Sequence, residues 1–112
     1  MKRTIRIQPL AQDDLRRQAE FIARDSLDAA VRLLEAAEIT YEFLAETPLA
    51  GAVCPFKSVQ TKDLRIWRIN GFPNHLILYR VSESELLIVR VLHAARALDV
   101  LLDDEHSDPG LA

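Results

Sequence analysis

LRIWRINGFPNHLILYRVSESELLIVRVLHAAR, residues 64–96, decides the fold. Leu64-Arg65-Ile66-Trp67-Arg68-Ile69 and His75-Leu76-Ile77-Leu78-Tyr79-Arg80-Val81 are apolar runs rich in β-branched and aromatic residues, separated by the turn-forming Asn70-Gly71-Phe72-Pro73-Asn74. Ser82-Glu83-Ser84-Glu85 is a second polar turn, and Leu86-Leu87-Ile88-Val89-Arg90-Val91-Leu92 a third run. Three consecutive strands joined by short turns predict an antiparallel meander. The stretch closes on Val91-Leu92-His93-Ala94-Ala95-Arg96, where a strand-like run passes into a helix-like one. His93 and Arg96 sit three residues apart at that junction.

Upstream, the period changes. Thr4-Ile5-Arg6-Ile7-Gln8 alternates polar and apolar residues and predicts a short first strand. Pro9 then suits the first turn of a helix, where its missing N–H has no partner to lose. Leu10, Asp14, Leu15, Ala19, Phe21 and Ile22 recur at helical spacing up to Arg24. Ser26 is placed to cap a second helix from Leu27 to Glu46, with Asp28 in its first turn. Its apolar stripe is broad: Leu27, Ala30, Val31, Leu34, Ala37, Tyr41 and Leu44, flanked by Leu33, Ala36, Ile39 and Phe43. The short link makes the helices antiparallel neighbours, and Thr47-Pro48-Leu49-Ala50-Gly51 ends the second. Val53 to Gln60 reads as loop or a short edge strand. The expected architecture is α+β: an N-terminal strand, an antiparallel helical hairpin on one face of a mainly antiparallel sheet of three to four strands, and a short C-terminal helix. One domain over residues 1–102 and an acidic flexible tail over 103–112 are expected.

Composition narrows the function. Up to residue 98, fourteen Lys and Arg face twelve Asp and Glu; five further acids follow. Lys57 to Arg96 is locally basic, though far less so than a dedicated nucleic-acid binder. Cys54 is the single cysteine, which rules out an intramolecular disulfide and fits a reducing compartment. No run approaches the ~20 apolar residues of a membrane span, and the start Met1-Lys2-Arg3 leads into polar residues rather than a signal sequence. A cytosolic protein is expected. With glycines only at 51, 71 and 110 there is no phosphate loop. Cys54, His75 and His93 lack zinc-site spacing, so no metal or cofactor is expected.

Metal-free RNA cleavage has definite needs: a base for the 2′-hydroxyl, an acid for the leaving oxygen, and cations for the charged phosphorane. His93 could act as the acid or base, and Arg65, Arg80, Arg90 and Arg96 could supply charge. Arg65, Arg68, Arg80 and Arg90 each interrupt an apolar strand, which requires the guanidinium to reach water or a partner. Trp67 reads as a packing residue.

The order of helical hairpin, Thr47-Pro48-Leu49-Ala50-Gly51, Leu64-Arg65-Ile66-Trp67-Arg68-Ile69, Phe72-Pro73-Asn74-His75-Leu76-Ile77-Leu78-Tyr79-Arg80 and the ending Val91-Leu92-His93-Ala94-Ala95-Arg96 resembles the RelE/ParE superfamily of type II toxins. The Leu-Arg-x-Trp strand and the His-Ala-Ala-Arg ending look like its ParE branch. That resemblance implies a toxin that poisons DNA gyrase without chemistry of its own, arrests growth, and is neutralised by a ParD-like antitoxin in a hetero-oligomer. It also implies antitoxin- or target-binding roles for Arg65, Arg68, Arg80, Arg90, His93 and Arg96, structural roles for Trp67, Pro48, Gly51 and Tyr79, and no sequence-specific DNA binding by the toxin alone. The RelE branch instead cuts mRNA in the ribosomal A site; there His93, Arg65, Arg80 and Arg90 would be the catalytic group. The chain departs from that branch because its only tyrosines are Tyr41 and Tyr79, neither at the C-terminal end. A third alternative is a toxin fold that only binds partners.

Overall fold

The computed structural model describes residues 2–54, 63–97 and 99. The expected tail over 103–112 and most of the segment from Val53 to Gln60 lie outside them. In chain order the elements are β1 (Thr4–Ile7), α1 (Pro9–Ala23), α2 (Leu27–Glu46), β2 (Ala52–Val53), β3 (Arg65–Ile69), β4 (Phe72–Val81) and β5 (Glu85–His93). Residues 94–97 are helical.

The sheet has five strands in the order β1-β5-β4-β3-β2. The meander β3–β4–β5 is antiparallel throughout. The expected three or four strands become five because β1 adds in parallel beside β5, Thr4 opposite Glu85 through Ile7 opposite Ile88, and the two-residue β2 pairs with Arg65 and Ile66 of β3. The first turn is tighter than the sequence reading. Asn70-Gly71 alone makes it, with Gly71 at φ 81°, where only glycine avoids a Cβ penalty. Strand β4 therefore starts at Phe72. Pro73 is accommodated because the β3–β4 register jumps from Ile69–Phe72 to Arg68–Leu76, leaving it without a β3 partner.

The helices start where local chemistry dictates. Pro9 occupies the first turn of α1, and the Ser26 hydroxyl accepts a 3.1 Å hydrogen bond from the Ala29 amide at the start of α2, a cap that stabilises by about 1 kcal/mol. Both helices lie on one face of the sheet over a core of Ala11, Leu33, Ala37, Tyr41, Leu44, Ile69, Ile77, Tyr79, Leu86, Ile88 and Val91. The buried face of α2 is rotated from the main row of the expected stripe toward its Leu33 flank. The structure turns Leu33, Ala37, Tyr41 and Leu44 inward and leaves Leu27, Val31, Leu34, Ile39 and Phe43 exposed. On α1 likewise, Ala11 and Ala19 are buried whereas Leu10 and Phe21 face outward, because small residues let a helix approach its neighbours closely. Thr40 ties α2 to the sheet: its hydroxyl donates to the Ala36 carbonyl and accepts from the Asn70 amide at 3.0 Å.

The other sheet face is not bare. Cys54, Leu64, Leu78, Leu92 and Ala97 form a second buried cluster there, so residues 94–97 fold back onto the sheet rather than projecting from it.

Candidate functional site

Three neighbourhoods hold most of the residues singled out by the sequence. The first is the loop after α2. The Tyr79 hydroxyl donates to the Pro48 carbonyl at 2.8 Å and accepts from the Gly51 amide at 2.9 Å, and an Arg65 guanidinium N–H donates to the Gly51 carbonyl at 2.7 Å. A Cβ on Gly51 would lie 2.5 Å from the Tyr79 oxygen and 2.8 Å from the Ile66 carbonyl. Burial raises the Tyr79 pKa above the ordinary tyrosine value, opposed by the Gly51 hydrogen bond and the Arg65 charge. Pro48, Gly51, Arg65 and Tyr79 are thus one buried anchor for the loop that leads from the helices to the sheet edge.

The second is the groove that this loop borders. Beyond Ile66, the outer edge of β3 has no β2 partner. There a largely apolar cleft of about 910 Å³ opens, lined by Ile39 and Phe43 of α2, Val53, Trp67, Arg68 and Leu76, among others. Phe43 and Trp67 stack with ring centroids 5.7 Å apart, forming an aromatic floor that is only part-buried. Arg68 is exposed on the cleft. Trp67 therefore packs, as its type suggests, but it packs at a surface.

The third lies where β5 outruns β1. The parallel ladder ends with the Gln8 amide on the Ile88 carbonyl, and a register shift between Leu78 and Tyr79 makes Val89 a bulged residue opposite them. From there α1 takes the place of a strand. Asp14 accepts two hydrogen bonds from Arg90, at 2.7 and 2.9 Å, and a third from the Val91 amide at 3.1 Å. One turn later, Gln18 donates to the Val91 carbonyl at 2.8 Å. Its amide oxygen lies 2.7 Å from His75 Nδ1, and since the Gln18 nitrogen must face a carbonyl, His75 carries its proton on Nδ1. His75 is directly opposite His93 in the β4–β5 register, the two rings edge to face at 5.3 Å. His93 Nδ1 accepts from the Ala95 amide at 3.1 Å, so its proton sits on Nε2. Burial lowers the His75 pKa, and the neighbouring His93 adds to the effect.

The arginines do not converge. Arg65 donates to the loop beside β2 and Arg90 to α1, while Arg80 is half-buried in β4 opposite Leu87. Arg68 and Arg96 are exposed. Asp14, Gln18, Phe43 and His75 complete these neighbourhoods without having been singled out as functional. The four-residue spacing of Asp14 and Gln18, about one helical turn, was a signal that one face of α1 carries polar groups, but its target needed the sheet register. Among the described residues, no three His, Cys, Asp or Glu are placed to hold a metal, and no helix is long and apolar enough to cross a membrane.

The fold, a five-stranded mixed sheet under a helical hairpin, is shared with solved chains from toxin–antitoxin systems. It matches a chain of the chromosomal ParDE TA system from P. aeruginosa with a TM-score of 0.65 at 15% identity, over 82% of this chain and 96% of that one. It also matches a chain of the E. coli DinJ-YafQ toxin-antitoxin complex with a TM-score of 0.57 at 16% identity, over 87% and 98%. No curated protein matches the chain by sequence. Residues 5–98 match the family described as ParE toxin of type II toxin-antitoxin system, parDE, and the chain belongs to that family.

Proposed function

We propose that this ParE-family protein arrests growth by inhibiting DNA gyrase and is held inactive by a ParD-like antitoxin. Membership of the ParE family over residues 5–98 is the observation that carries the reading. The geometry supports it against mRNA cleavage: two of the three arginines such chemistry would recruit, Arg65 and Arg90, already donate to Gly51 and Asp14. The site on this reading is a binding surface, without a catalytic group or cofactor.

The groove beside β3 is the proposed antitoxin seat. Unpaired backbone at Trp67 to Ile69 can accept an added strand, Phe43 and Trp67 can take its apolar side chains, and Arg68 can meet a carboxylate. A segment that folds on binding can cover this surface and leave control to its own degradation. Arg80, His93 and Arg96 are proposed to serve target or antitoxin contacts outside the groove, in the cytoplasm.

Expression of the chain alone and together with a ParD-like antitoxin tests the proposal. Growth arrest with double-strand DNA breaks, both relieved by the antitoxin, is expected. Normal growth would reduce the protein to a partner-binding fold, and arrest with cleaved message and intact DNA would move it to the ribosome.

A further inference from the structure

Besides the contact role proposed for His93, its pairing with His75 at the β4–β5 end forms an arrangement that the toxin reading does not use. Backbone and side-chain partners fix opposite tautomers: His75 keeps Nδ1–H for Gln18, and His93 keeps an Nδ1 lone pair for the Ala95 amide. Ala95 is the second residue of the helical segment 94–97, so the His93 ring acts as its N-terminal cap. That segment has a packing role, since Ala97 is 5% exposed among Leu78, Leu92, Cys54 and Leu64 on the second sheet face.

We propose that His75 and His93 form a proton-operated latch that keeps residues 94–97 on the second sheet face at neutral pH and releases them on acidification. Imidazole is the side chain whose charge ordinarily changes between pH 5 and 8. A proton taken up by neutral His93 from solvent must go to Nδ1, the nitrogen with the free pair. The cap then becomes two N–H groups facing each other. The positive ring would also sit at the positive end of the short helix, where cations are disfavoured. His75 sharpens the response, because a proton on its Nε2 places a like charge beside His93, and its Nδ1–H cannot move without breaking the Gln18 bridge to Val91.

Among the described residues, the groups in contact with the pair include no carboxylate. On α1 the contact is the neutral Gln18; Asp14, a turn away, is engaged by Arg90 and the Val91 amide. On β4 it is Phe72, edge-on to His75 at 6.0 Å. In the segment itself Arg96 is exposed and adds positive charge. Release uncovers Leu78 and Leu92, so the second sheet face becomes an apolar surface only below neutrality.

Amide hydrogen exchange of the full chain, corrected for the intrinsic pH dependence and referred to Ile88, tests the latch. Protection at Ala95 and Ala97 is expected to fall at least tenfold between pH 7.5 and pH 5.0. His93→Asn, an uncharged residue that caps helices well, is expected to hold protection within twofold across that range. His75→Gln, which removes the second imidazole and its like charge, is expected to move the midpoint of the loss to lower pH. Imidazole nitrogen spectra at pH 7.5 should show the proton on Nδ1 of His75 and on Nε2 of His93. Constant wild-type protection, an equal loss in His93→Asn, an unmoved midpoint in His75→Gln, or the reverse tautomers would each overturn the proposal.

Discussion

Gly51→Ala puts a single methyl group into the buried anchor, and its effect can be worked from the distances. The new Cβ would meet the Tyr79 oxygen at 2.5 Å, the Ile66 carbonyl at 2.8 Å and Tyr79 Cε1 at 2.9 Å. All three are closer than Cβ atoms approach in folded proteins, so the ring or the loop must move. Overpacking of this kind costs about 1–3 kcal/mol. Moving the ring also weakens the Tyr79 hydrogen bonds to Pro48 and Gly51, each contributing about 1 kcal/mol net. The expected loss is about 3 kcal/mol, which for a domain of this length lowers Tm by about 12 °C. Tyr79→Phe alone leaves the Gly51 N–H and the Pro48 carbonyl buried without their partner, at about 1–3 kcal/mol. In the double variant the 2.5 Å contact no longer exists, and the hydrogen bonds are lost only once. Its destabilisation should therefore fall short of the sum by about 1 kcal/mol or more. Urea unfolding of the four proteins supplies the cycle. A cost below about 1 kcal/mol for Gly51→Ala, or strict additivity, would refute a tight loop anchor.

Other variants probe the remaining contacts. Asp14→Asn keeps the shape but removes the charge that Arg90 grips; since the pair is part-exposed, a loss of about 2 kcal/mol is expected, between the surface and buried limits, read as a drop in urea midpoint. The pH dependence follows from His75. Its folded-state pKa lies below the unfolded value of 6.5, so between those values the unfolded chain binds more protons, and stability should rise with pH up to about 6.5 and then level off. Urea midpoints from pH 5 to 8 should show that slope, and His75→Gln should reduce it. At the alkaline end, burial pushes Tyr41 up to about 12, with Asp14 and Glu38 adding to the effect. Tyr79 is also raised, so at pH 10 absorbance near 295 nm should show less tyrosinate in the folded protein than in the unfolded chain. In the groove, Phe43→Glu should leave the fold intact, since Phe43 is substantially exposed, yet weaken a ParD-like antitoxin at least tenfold in a titration.

The elements that could be read from residues 64–96 were those with local signals. Alternation and turn residues marked β3 to β5, and Ser26 and Pro48 bracketed α2 closely enough that Leu27–Glu46 emerges with the expected bounds. What could not be read was set by distant partners. The inward side of α2 depends on the sheet beneath it, which buries Leu33 of the expected flank and leaves Leu34 of the main row exposed. Arg90 looked like a free strand cation because its partner, Asp14, is 76 residues away. Arg65 looked the same until the loop folded over Tyr79. The His75–His93 pair depends on a register that passes through a bulge, and no local pattern encodes it. Phe43 and Trp67 carry apolar character but not the fact that β2 begins only at Ala52, opposite Ile66, and leaves the β3 edge open from Trp67 onward.

The claim that gyrase is the target is tested most directly by adding one preparation of the folded, antitoxin-free protein to two reactions in parallel. The first holds gyrase, relaxed plasmid and ATP, stopped with detergent and protease; the second holds translating ribosomes on a defined message. Linear plasmid in the first, suppressed by a ParD-like antitoxin, with intact message in the second, is the predicted result. Unaffected gyrase with message cut on the ribosome would contradict the account and return His93 and the arginines to a catalytic role.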